Sequence, residues 1–241
     1  MTRTMRLPVG RALRLLPMGD SITQGSPDKP GGYRGVLERR LQEAGWNFEF
    51  VGRCTENSEG MSYPRHEGHP GFRIEELRRG HTNAFSSCRA IKETVADLRP
   101  DCVLLLVGTN NLYFDDPRHA AEEMNRLWDE IVGAASNPVL WVGTLPLILP
   151  GLKSWGHDIP ADVGARVAAF NGLLGDMAEA RTRCGQDVRL VNTASAASGR
   201  EDLQADGVHP SAHSMEGMGE IWWQALRGAR DRTSTFSRPV S

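Results

Sequence analysis

Three residues, one early in the chain and two close together late in it, have the types that nucleophilic acyl chemistry needs: Ser21, Asp206 and His209. Ser21 stands in Gly19-Asp20-Ser21-Ile22-Thr23-Gln24-Gly25, directly after an apolar run. A serine at a strand end, where a helix begins, can offer its hydroxyl to a cleft and its backbone N–H to an oxyanion. The alternative is a plain turn with a capping serine. Asp206-Gly207-Val208-His209-Pro210 lies near the other end of the chain. Its carboxylate can meet one imidazole nitrogen and leave the other free to take a serine proton. An ordinary Asp-Gly turn before a helix would look similar.

Two further segments could supply oxyanion donors. Gly108-Thr109-Asn110-Asn111 follows the most apolar run, so the Asn110 amide can sit at a strand end. His66-Glu67-Gly68-His69-Pro70-Gly71-Phe72 precedes a helical pattern, and Gly71 could present its N–H without a side chain in the way. Each segment alone also reads as a polar or glycine-rich turn. Together they supply nucleophile, base, orienting acid and oxyanion donors.

These residues must be held by a scaffold, and the hydropathy pattern suggests one. Apolar bursts at 12–18, 48–51, 103–107, 139–142 and 188–191 alternate with helical patterns at 33–43, 74–77, 90–98, 117–135, 161–181 and 211–226. Such alternation predicts an α/β fold, with a parallel sheet covered on both faces. Ligands of such sheets lie at the carboxyl ends of the strands, where Ser21, Asn110, Asp206 and His209 fall. Residues 53–72 and the apolar, Pro-rich stretch 145–160 are expected to be loops. The tail from Thr233 is expected to be disordered. The length of 241 residues suits a single domain, with its core at about 13–226.

Composition excludes some functions. With Lys+Arg 28 against Asp+Glu 30, the chain lacks the basic footprint of a nucleic-acid binder. Arg39-Arg40 and Arg78-Arg79 are expected to be solvated helix faces. No run is long enough to span a membrane. Arg at positions 3, 6, 11 and 14 interrupts any secretory leader. No C-x-x-C pair occurs among Cys54, Cys88, Cys102 and Cys184, although Cys54 and Cys88 could pair.

Gly19-Asp20-Ser21, Gly71, Gly108-Thr109-Asn110 and Asp206-x-x-His209 resemble, in order, the four blocks of the SGNH (GDSL-like) hydrolases. The resemblance runs over about residues 13–226. It implies a flavodoxin-like three-layer α/β/α sandwich. It further implies Ser21 as nucleophile, His209 as base, Asp206 as its partner, and an oxyanion hole of Ser21, Gly71 and Asn110. Tyr33-Arg34 and the His66-to-Phe72 loop look most similar to carbohydrate esterase family 3, which removes acetyl groups from xylan and related sugars. The family often has Asp after the third-block Asn. Asn111 stands there, a departure expected to matter little. The implied activity is hydrolysis of an O-acetylated carbohydrate or similar small ester, with no cofactor. Rival readings are an acyltransferase on the same triad, an esterase or lipase for longer acyl chains, a metal hydrolase using His66, Glu67, His69, Asp206 and His209, and a non-catalytic sugar-binding domain.

Overall fold

The run Cys102–Leu106 has every residue buried, as a strand covered on both faces requires. In the computed structural model, which describes Pro8 and residues 10–154 and 156–234 (the last four by backbone alone), this run is the middle strand of a parallel sheet.

From the N-terminus the elements are β1 (Leu13–Gly19), α1 (Ser21–Gln24), α2 (Gly32–Glu43), β2 (Phe48–Phe50), β3 (Glu67–Gly68), α3 (Ile74–Arg79), β4 (His81–Thr82), β5 (Ser87–Cys88), α4 (Ile91–Leu98) and β6 (Cys102–Leu106). They continue with α5 (Pro117–Val132), β7 (Val139–Gly143), β8 (Lys153–Ser154), β9 (His157–Asp158), α6 (Val163–Arg183), β10 (Val188–Val191) and α7 (Ala212–Ser234). The sheet order is β10-β7-β6-β1-β2, with β3 added beside the end of β1. Counting the five long strands in chain order gives 2-1-3-4-5, the flavodoxin-like order, which reverses direction between β1 and β6. The helices form two layers: α2 packs on α7, and α5 packs on α3, α4 and α6.

The fold class is as the hydropathy pattern indicates, but details differ. The stretch 53–72 is not wholly loop, because Glu67–Gly68 pairs with Met18–Gly19. The stretch 145–160 contains the short β8–β9 hairpin. The last helix runs on to Ser234, so Thr233 and Ser234 are helical. The rest of the expected disordered tail, 235–241, lies outside the described residues. Arg39 and Arg40 are not merely solvated: they pair with Glu216 and Glu220 and tie α2 to α7. Arg78 pairs with Glu123 and Glu130 of α5. Among the described residues no helix is long and apolar enough to cross a membrane.

Candidate active site

β1 and β6 pair in register, Gly19 against Leu106, so the turns that follow them are neighbours at the switch point of the sheet. Ser21 opens the turn after β1. Asp20 is the N-cap of α1, its side chain accepting from the Ile22 N–H at 3.0 Å. Ser21 is therefore not the capping residue, and its hydroxyl is free for another partner. As the first residue of α1, its N–H has no acceptor within the helix. The far end of α1 is held by Arg34, a fully buried guanidinium that donates to the carbonyls of Thr23 and Gln24, both at 2.8 Å. Burial pushes this arginine down to about 10.

The loop after β10 brings the other two residues to Ser21. His209 Nε2 lies 2.8 Å from Ser21 Oγ, and His209 Nδ1 lies 2.5 Å from Asp206 Oδ2. Asp206 Oδ1 accepts from the backbone N–H of Val208 and His209, at 2.9 and 3.0 Å. Burial raises the Asp206 carboxyl, but the His209 hydrogen bond and the two N–H donors outweigh it and hold the group at about 2. An ionised Asp206 fixes the proton on Nδ1 and leaves Nε2 bare toward the serine. Gly207 makes this tight turn possible: its φ is +69°, and an added Cβ would lie 2.4 Å from Leu152 Cδ1.

The segment 67–72 lies on the other side of Ser21. His69 N donates to Gly19 O at 2.9 Å, which fastens the segment to the end of β1. Gly71 has φ +78° and, among the described residues, no acceptor for its N–H. Asn110 is 5% exposed and spends one amide hydrogen on Phe72 O, at 2.9 Å, so its second is left over. Gly71 and Asn110 both line a cavity of about 540 Å³, together with Tyr113, Phe114, Phe85 and His157. The sequence reading missed this wall. Its only signal there was isolated aromatic residues in polar loops.

Asn111, where the resembling family often has Asp, is held by the fold. It is fully buried and ties α3 to the turn after β6: Oδ1 accepts from Ile74 N at 2.9 Å, while Nδ2 donates to Glu75 and Asp115 at 2.9 and 2.8 Å. The asparagine is fitted to its place.

The five residues of the metal reading do not converge. His66 accepts from Gly68 N at Nδ1 and faces Glu56 O with Nε2, and burial with the nearby Arg34 charge pushes it down to about 3. His69 bridges Glu67 (3.0 Å) and Ser86 (2.7 Å). Among the described residues the only grouping spaced for an ion is Cys54, Glu67 and His69, away from Asp206 and His209. Cys54 and Cys88 are free thiols, and burial pushes them up to about 12 and about 11.

Residues 18–216 match the GDSL-like lipase/acylhydrolase family. The chain is 30% identical over 232 residues to a multidomain esterase of Ruminococcus flavefaciens; the match takes in 90% of this chain but only 28% of that protein's length. A solved family 3 carbohydrate esterase of Clostridium thermocellum has TM-score 0.72 at 23% identity, over 90% of this chain and 98% of its own. One from Talaromyces cellulolyticus has TM-score 0.71 at 19% identity, over 91% and 99%. At these identities the structural likeness establishes the three-layer fold.

Proposed function

The chain belongs to the GDSL-like lipase/acylhydrolase family, and from that premise we propose that it hydrolyses carboxylic esters through an acyl-enzyme on Ser21. The observation that carries this reading is the unbroken chain Asp206–His209–Ser21, with links of 2.5 and 2.8 Å. His209 Nε2 takes the Ser21 proton as Oγ attacks the ester carbon. The N–H groups of Ser21 and Gly71 and the Asn110 amide receive the negative charge that develops on the carbonyl oxygen. The tetrahedral intermediate collapses, and His209 passes its proton to the leaving alcohol. Water then attacks the acyl-Ser21 carbonyl with His209 again as base, which releases the acid and restores the serine. No cofactor enters these steps.

For the alcohol, the proposed substrate is a carbohydrate, with O-acetyl sugars among its esters. Support comes from two solved neighbours, both described as family 3 carbohydrate esterases. The test is Ser21→Ala, assayed on acetylated sugars and on a simple acetate ester. Removing the nucleophile of such a triad costs on the order of 10⁶ in turnover, and the variant should melt where the wild type does. Wild-type turnover by a folded Ser21→Ala protein would overturn the proposal.

A further inference from the structure

We infer that the cavity beside Gly71 and Asn110 is an acyl-group pocket, built for a flat aromatic acyl group rather than for acetyl alone. The inference rests on the reading of Ser21, His209 and the oxyanion donors given above.

Directions around the reacting carbon decide which part of the ester enters. The carbonyl oxygen points at the N–H of Gly71 and the Asn110 amide. The leaving oxygen must face His209 Nε2 to receive its proton. The cavity is lined by Gly71 and Asn110, the oxyanion side, but by none of Ser21, Asp206, Val208 or His209. It therefore opens on the side away from the alcohol, where the acyl substituent projects.

Size and lining indicate the kind of acyl group. The cavity holds about 540 Å³. An acetyl methyl group is close in size to a water molecule, whose share of liquid volume is roughly 30 Å³, so acetyl leaves nearly all of the space unfilled. The volume falls within the range typical of pockets for whole small molecules. The two most exposed large apolar side chains in the described structure, Phe85 at 63% and Phe114 at 54%, both belong to this one cavity. Single exposed apolar residues are ordinary, but two at one cavity mark a place for an apolar partner. Phe114 is braced edge-on by His157, with ring centroids 4.9 Å apart and planes at 86°, and by Tyr113 at 6.2 Å and 74°. Rings held in this way present flat faces and edges, which match another ring better than a flexible chain.

The experiment compares esters of one alcohol, 4-nitrophenol, with acetic, octanoic and cinnamic acids, and reads kcat/KM. The cinnamate ester should exceed the acetate ester by about tenfold, the worth of one well-made aromatic contact. Phe114→Ala and Phe85→Ala should each lower that ratio, and the double variant should bring it close to one. Leu190→Ser, on an exposed strand edge away from the cavity, should leave the ratio unchanged. A wild-type preference for acetate overturns the inference, and so does a double variant that keeps the wild-type ratio. A preference for octanoate would mean that the pocket takes a flexible chain, which overturns the aromatic assignment. Activity that survives Ser21→Ala would instead overturn the underlying reading. Loss of activity in Ser21→Ala combined with an acetate preference would leave that reading standing and remove only the acyl assignment.

Discussion

Asp20 is fully buried beside Ser21, and one of its carboxylate oxygens has no hydrogen-bond partner among the described residues. Burial pushes its carboxyl up to about 6, against the opposing pull of the Ile22 N–H and the His209 charge. The folded state thus keeps the proton at pH values where the unfolded chain has released it. Stability from this group must fall as pH rises from about 4 to about 6, and the penalty is complete above that. Asp20→Asn keeps an oxygen for Ile22 N and removes the titration. Its melting temperature should match the wild type near pH 4 and exceed it increasingly up to pH 6, then hold a constant gap. A gap that does not change with pH would show that Asp20 carries no such burden. Asn111 supplies a second case. Asn111→Asp keeps the bond from Ile74 N, loses both donors and places a third carboxylate beside Glu75 and Asp115. The expected loss is about 1–3 kcal/mol at neutral pH, shrinking as the carboxylates protonate, with the rate per folded molecule little changed. An unaltered melting temperature would return Asn111 to the status of a turn residue. Ser21, Asp206 and His209 could be singled out in the sequence only because their motifs occur together and in order, each alone reading equally as a turn; the structure brings the three side chains into contact. Asn111 could not be singled out, because its partners Ile74 and Glu75 lie on α3, well back in the sequence, and their meeting with it depends on the fold.

Ion pairs that join helices belong to the next scale. Arg78 on α3 reaches Glu123 and Glu130 on α5, and Glu123 is 6% exposed. Arg78→Ala leaves that buried carboxylate with Arg126 as its remaining partner. The denaturant midpoint should fall by the equivalent of roughly 1–3 kcal/mol with an unchanged slope. Adding Glu123→Gln should restore part of the loss, since the stranded charge is then gone. A change of only a few tenths of a kcal/mol would instead mark a solvated pair of little worth. The long strands and helices could be read from apolar runs and periodicity. The two-residue strands β3, β4, β5, β8 and β9 could not, since two residues are too few to show an alternating pattern. These short pieces nevertheless shape the site: β3 leads into the Gly71 turn, the β4–β5 hairpin carries Phe85 at its tip, and β9 brings His157 to Phe114.

At the scale of the whole molecule, the strand order followed from the resemblance to a flavodoxin-like family and not from periodicity. Alternation alone does not say that the chain reverses direction after β2, and it is this reversal that sets the β1 and β6 turns side by side. Pairing across the sheet fixes it, through the register of Leu15–Gly19 with Cys102–Leu106. Ser21 and His209, the proposed nucleophile and base, are 188 residues apart in sequence. At synthesis rates of about 5–20 residues per second, roughly ten to forty seconds pass between the two leaving the ribosome's active centre. During that interval the nascent chain has Ser21 and its strand-end turn but not His209. It can bury its first strands before His209 has been made, so the proposed chemistry cannot begin until the chain has grown past that residue. A chain released early, or clipped ahead of Asp206, would be silent toward substrate rather than partly active.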